Sequence, residues 1–146
     1  MIDRATVTFR PAAAGDAERI AALFTEEGYP AGGTDIAARL ERFAAPGSGV
    51  IVADLDGEIL GFVAIHLLPR FEHDEPIGRI LALVVDPGVR ERGIGRLLMA
   101  EAERVAREAG AAFVEVTSGH HRAEARSLYE ALGYDASVTT YLRKRL

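Results

Sequence analysis

Three arginines and two glycines fall within seven residues, Arg90-Glu91-Arg92-Gly93-Ile94-Gly95-Arg96, and no other stretch of this chain is as well equipped for chemistry. Guanidinium groups fork onto phosphate oxygens and neutralise them. Glycines let backbone N–H groups approach a ligand closely. The apolar run Ile80 to Val85 ahead of this stretch reads as a buried strand, stopped by Asp86-Pro87-Gly88. From Ile94 the apolar residues recur at helical spacing. A strand, a glycine loop and a helix N-terminus in that order make an anion site, because first-turn amides and the positive end of the helix dipole converge there.

Two familiar phosphate chemistries do not fit. A nucleotide triphosphatase loop needs G-x-x-x-x-G-K-[ST]. Gly88 and Gly93 have that separation, but Ile94 and Gly95 stand where the lysine and the magnesium-binding hydroxyl must be. A dinucleotide fold needs G-x-G-x-x-G, and Gly93-Ile94-Gly95-Arg96-Leu97-Leu98 lacks the third glycine. The preceding hairpin sequence does not suit a βαβ opening either.

The elements that must position the loop can be read in chain order. Val7 to Arg10 is a first strand, and Asp16 caps a helix running to about Glu27 through Ala17, Ile20, Ala21 and Phe24. Gly28 to Gly33 is a break. Thr34 caps a second helix with Ile36, Leu40 and Phe43 on its buried face. Val50 to Ala53 and Ile59 to Leu68 form a hairpin around Asp56-Gly57. Pro69 to Pro76 is a charged loop, and Ile77 to Val85 is strand four. A third helix runs from Ile94 to Gly110, Phe113 to Thr117 is strand five, and a fourth helix carries Ala125, Leu128, Tyr129 and Leu132 up to Gly133. Val138 to Leu142 reads as a final strand. This order predicts an α/β (α+β) fold: a mixed, mostly antiparallel sheet of six to seven strands with four helices on both faces. Strands four and five are parallel, because a helix crosses between them.

Composition narrows the partners. The 146 residues suit one domain, 1–146, and 49% of them are hydrophobic, which excludes disorder. A net charge of −5 gives no general attraction to nucleic acid or to acidic membranes. No window nears the ~18 apolar residues of a membrane span, and no signal-peptide run follows Met1, so a cytoplasmic protein is expected. Cysteine is absent, which removes thiolate metal sites. His120 and His121 are adjacent and share no helix face, so no metal is expected. The expectation leaves room for a homodimer.

A third motif does fit. Arg90-Glu91-Arg92-Gly93-Ile94-Gly95 resembles the Arg-x-x-Gly-x-Gly coenzyme A signature of the GCN5-related N-acetyltransferases, the GNAT superfamily. Downstream, Ala125 to Tyr134 is similar to the family's second motif, A-x-x-[LF]-Y-x-x-x-G-[FY]. The likeness extends over nearly the whole chain. It implies the GNAT fold, with strands four and five splayed and the pantetheine arm of acetyl-CoA, a co-substrate, lying between them. Leu83, Val84 and Val85 would then line the arm, with one N–H acting as oxyanion donor. Arg90, Glu91, Arg92, Gly93, Ile94, Gly95 and Arg96 would hold the pyrophosphate. Tyr129, by periodicity alone a core aromatic, would be the general acid that protonates the departing thiolate. Arg122 stands where many members place a pantetheine-binding asparagine, and a coenzyme phosphate is an alternative target for it.

The acceptor is less legible. Many members begin strand four with a glutamate base, but Gly78-Arg79-Ile80-Leu81-Ala82 has no carboxylate. His66 is the best remaining base by type and place, with His73 and His120 behind it. Tyr29, Phe71 and His73 sit on loops suited to acceptor contacts, together with the last hairpin. Glu26, Glu27, Glu72, Asp74 and Glu75 offer attraction for a cationic amine. The implied activity is transfer of acetyl to a primary amine, most simply of a small molecule. A peptide acceptor, another acyl-CoA donor and a non-catalytic coenzyme A-binding regulatory module are the alternatives.

Overall fold

The apolar run of the central hairpin is continuous rather than alternating, as a strand buried on both faces requires. This computed structural model describes residues 6–90, 92–119 and 122–146. In it β1 spans Val7–Pro11, α1 Ala17–Glu27, α2 Gly33–Phe43, β2 Ser48–Leu55, β3 Glu58–Leu68, β4 Ile77–Val85, α3 Ile94–Glu108, β5 Val114–Val116 and α4 Ala123–Ala131. The sheet order is β1-β2-β3-β4-β5, antiparallel except for the parallel β4–β5 pair. Val52, Phe62 and Val84 pack towards α1 and α2, while Val63, Ile65 and Leu83 pack towards α3 and α4. Leu98, Met99 and Ala102 of α3 are fully enclosed.

The feature that matters for function is where β4 and β5 part. Their pairing covers Gly78, Arg79 and Ile80 and stops at Ile80–Val116. At the same point the β3–β4 register slips: Ala64 faces Ala82 while Ile65 faces Ile80, leaving Leu81 as an unpaired bulge. A bulge bends its strand and raises the local twist. From Leu81 to Val85 β4 therefore continues without β5 beside it.

Three expectations are corrected. The described sheet has five strands, not six to seven, because residues 138–142 form no strand. Val138, Tyr141 and Leu142 are all exposed, so no core face receives them as a strand. Acceptor contacts from a last hairpin go with that strand. Second, α2 begins at Gly33 and not after a Thr34 cap. The Asp35 carboxylate accepts the Gly32 N–H at 2.9 Å and makes Gly32 the cap, two residues earlier. Third, Asp16 precedes α1 but makes no forward cap. It ends a short 3₁₀ turn, Ala14–Asp16, and its carboxylate reaches back to the Ala13 N–H at 2.7 Å. Among the described residues no helix is long and apolar enough to cross a membrane.

Asp16 turns back because Arg10 fixes it there. The Arg10 guanidinium donates to both Asp16 oxygens, at 2.8 and 2.9 Å, and to Asp54 at 2.9 Å. Those bonds, with the Ala13 N–H, hold the buried Asp16 carboxyl below the usual range against the opposing pull of burial. A depressed folded-state pKa adds stability above the unfolded carboxylate value and loses it as pH falls through the folded one. Asp16→Asn should therefore cost about 1–3 kcal/mol near neutral pH. Urea unfolding at a series of pH values should show the gap from wild type narrowing below about pH 4.

Candidate active site

The turn after β4 is built around Asp86. Its Oδ1 accepts the Gly88 N–H at 2.8 Å, capping the 3₁₀ turn Pro87–Val89. Its Oδ2 pairs with Arg19 of α1 at 2.5 Å, and Arg19 also donates to the Ile59 carbonyl at 3.1 Å. The loop is thus tied to α1 and β3 before it reaches α3. Gly93 enters α3 with φ 84°, a left-handed conformation natural to glycine. Among the described residues no side chain caps α3, and no acidic residue lies in its first turn. The first helical bond is Leu97 N–H to Gly93 carbonyl, at 3.1 Å. The amides of Ile94, Gly95 and Arg96 are therefore available to an anion. A methyl group on Gly95 would sit 3.2 Å from Leu128 and 3.6 Å from Val85, so its absence lets α3 start close against α4 and β4. Arg92 and Arg96 are exposed beside these amides. Glu91 lies outside the described residues.

The open edge of β4 supplies the second half of the site. Asp86 donates its N–H to Leu60 of β3 at 2.8 Å. Alternate residues of an extended strand turn their amides to opposite edges. Val84 therefore faces β3, and its side chain is buried towards α1. Leu83 and Val85 turn their N–H and carbonyl groups to the side that β5 has left. The Leu83 carbonyl accepts Arg122 Nη2 at 3.4 Å, on that side. Ser118, two residues past the end of β5, has a buried hydroxyl oxygen with no partner among the described residues. Buried polar atoms seldom stay unpaired, so an edge with open amides and an orphan hydroxyl fits a polar, extended ligand.

Tyr129 comes to this edge from α4. It is 5% exposed in the core group that contains Leu83, with its ring 6.0 Å from Tyr134. Its hydroxyl makes no hydrogen bond among the described residues, whereas that of Tyr134 donates to Glu103 at 2.8 Å. Burial raises the Tyr129 pKa, the nearby Arg122 works against that rise, and Glu27 adds to it. The phenol is thus protonated and unengaged at neutral pH, as a proton donor must be.

The remaining sequence candidates are not gathered there. His66 lies opposite Arg79 in the β3–β4 register, and its Nδ1 is 2.7 Å from Ser48 Oγ. By strand alternation its ring faces the α1 and α2 side, away from the side on which Tyr129 packs. Phe71 is fully exposed and His73 exposed on the 69–76 loop. Tyr29 is half exposed after α1, edge-on to Phe24 at 6.2 Å. His120 and His121 lie outside the described residues. Among the described residues no group of three or more His, Asp or Glu is placed to hold a metal ion.

The sequence offers Glu27 to a cationic amine as one of five acids; its partners are what it does not disclose. Its Oε1 accepts Arg122 Nη2 at 3.1 Å and its Oε2 pairs with Arg90. Arg90 also lies 3.9 Å from Glu124 at the start of α4. A faint signal existed. Glu27 is the last residue of α1, just ahead of the left-handed Gly28, where the helix dipole disfavours an acid. An acid in that position calls for cations to offset it.

Known proteins resemble this chain over most of its length. Residues 16–134 match the family model described as "Acetyltransferase (GNAT) family". An aminoalkylphosphonate N-acetyltransferase of Salmonella typhimurium is 38% identical over 82 residues, which are 56% of this chain and 53% of that one. The matched stretch is thus about half of that relative. An uncharacterized N-acetyltransferase of Bacillus subtilis is 30% identical over 137 residues, 88% of this chain and 90% of that protein. Among solved structures, an aminoglycoside N-acetyltransferase in complex with CoA shares the fold, with a TM-score of 0.80 at 20% identity over 96% of this chain and 95% of that one.

Gly93→Asp tests the anion site. Aspartate tolerates left-handed φ better than most residues, so the fold should survive with a small drop in melting temperature. Calorimetry should show no binding of coenzyme A, because a carboxylate at the start of α3 repels an anion at the first-turn amides. Undiminished affinity would place the site elsewhere.

Proposed function

The chain belongs to the GNAT family of acetyltransferases, and on that premise we propose that it transfers acetyl from acetyl-CoA to a primary amine, most simply of a small molecule, by direct attack in a ternary complex. The observation that carries this reading is the unpaired β4 edge, which runs from Tyr129 to the uncapped start of α3. It matches a ligand with a reactive thioester at one end, an amide-bearing arm, and a pyrophosphate at the other. The acetyl-CoA thioester supplies an activated acyl carbon. The residues present supply the rest. Ile94, Gly95 and Arg96 amides with Arg92 and Arg96 side chains hold the phosphates. Leu83 and Val85 bond the arm as an added strand, and one of their N–H groups faces the thioester oxygen as negative charge develops there. The amine nitrogen forms the new C–N bond and the C–S bond breaks. Tyr129 gives its proton to the departing sulfur, and the proton shed by nitrogen is taken up by solvent, which restores the phenol.

The acceptor side is an apolar cavity of about 150 Å³ between the sheet and α1–α2, lined by Phe24, Leu40, Phe43, Phe62 and the bulge residue Leu81. Arg39 borders it and makes no ion pair among the described residues. Together these suit an amine with an apolar body and an anionic end. The Salmonella relative's aminoalkylphosphonates, by its name, are amines of the anionic kind. A screen of 2-aminoethylphosphonate, benzylamine and an alanine-terminated tripeptide for thiol release tests the class. Acetylation of the tripeptide alone would replace the small-molecule reading.

Tyr129→Phe should lower kcat by about 10²–10⁴-fold, the usual contribution of a positioned general acid, and leave acetyl-CoA affinity unchanged. Unaltered turnover would remove Tyr129 from the reaction and favour solvent as proton donor.

A further inference from the structure

The Glu27, Arg90 and Arg122 cluster stands across the same open edge, and coenzyme residues alone do not explain it. A single guanidinium nitrogen of Arg122 bridges the Glu27 carboxylate at 3.1 Å and the Leu83 carbonyl at 3.4 Å. Arg90, on the phosphate-facing loop, is held by the other Glu27 oxygen. The side chains of Glu27 and Arg122 are only 17% and 20% exposed. In this arrangement both arginines are engaged by Glu27, the Leu83 carbonyl is spoken for, and the Glu27 carboxylate is neutralised. An extended arm added to β4 needs that carbonyl. A pyrophosphate competes for the two guanidinium groups with twice the charge of one carboxylate.

We infer that Glu27 is the ammonium-binding carboxylate of the acceptor site and that it is masked by Arg90 and Arg122 until the coenzyme draws them off. The inference rests on the acetyl-CoA reading above. When the arm takes the Leu83 carbonyl, Arg122 loses one of its two partners, and the phosphates compete for Arg90. A carboxylate left at the end of α1, against the negative end of the helix dipole, then requires a new cation. A primary amine is one, arriving at neutral pH as its ammonium; it releases one proton to solvent before its nitrogen attacks, and the second as the amide forms. It enters between Glu27 and Tyr29, beside the edge on which the thioester is held. Donor and acceptor sites are thereby linked through one side chain: the donor opens the acceptor site, and the ligand class at that site is a primary ammonium.

The test is Glu27→Gln, a neutral group of the same shape. Calorimetry with coenzyme A should give affinity equal to or tighter than wild type, because two competing ion pairs are gone. Steady-state kinetics, with whichever of 2-aminoethylphosphonate, benzylamine and the alanine-terminated tripeptide the wild type acetylates fastest, should show KM raised about tenfold or more by the loss of a charge-assisted contact, with a smaller change in kcat. A structural role would weaken both ligands. Weaker coenzyme affinity, or an unchanged amine KM, overturns the assignment. Should the glutamine variant not fold, Glu27→Asp withdraws the carboxylate by one methylene and is judged by the same two readings. Failure of wild type to bind coenzyme A or to acetylate any of the three amines would count against the acetyltransferase reading itself, a result separate from either outcome for Glu27.

Discussion

A β-strand in the middle of a molecule cannot leave one edge open without cost, since each buried N–H or carbonyl without a partner costs about 1–3 kcal/mol. β4 does leave one open, from Leu81 to Val85, and the rest of the site is arranged around that gap. The bulge at Leu81 starts it, in the same place where the pairing with β5 ends. The core does not close it, because Phe62, Val63 and Val84 lock β4 to β3 and to the helices on each side. Among the described residues Arg122 reaches across, to one carbonyl. The open edge persists because the packing that would have to change to heal it is worth far more than the bonds that healing would add.

The flanking network makes the gap a defined slot. Asp86 binds its own turn and Arg19 of α1, and Arg90 reaches Glu27 at the other end of the same helix. The loop that presents the α3 amides is thus held to α1 at two points, while Gly95 lets α3 and α4 close against the end of β4. Tyr129 then needs no dedicated partner. Core packing alone aims it, and its free hydroxyl follows from the absence of any acceptor nearby in the described residues.

What was legible in the sequence was local. Asp86-Pro87-Gly88 can only stop a strand, Gly93 is needed at left-handed φ, and helical spacing from Ile94 is unambiguous; together these locate the junction of β4, loop and α3. The β4–β5 parallel pair followed from one crossover helix. What stayed hidden depended on distant partners. Glu27 and Arg122 meet across 95 positions, and nothing in either neighbourhood announces the other. Asp16 looked like a cap because a cap is its commonest local use, and the cation that redirects it lies on the far side of a turn. Residues 138–142 have strand-forming side chains, but a strand exists only where a ladder and a face receive it. The helix start lies two residues ahead of the one a Thr34 cap would give, because Asp35 reaches back to Gly32, a contest that propensity does not decide.

The central claim is that coenzyme A completes the open edge of β4 as an added strand. Amide hydrogen exchange resolved by residue, with and without coenzyme A, tests it most directly. The account predicts new protection at Leu83 and Val85 together with Ile94, Gly95 and Arg96, while Val84, already bonded to β3, stays unchanged. Protection confined to the first turn of α3, with Leu83 and Val85 exchanging as before, would contradict it and leave the edge without its ligand.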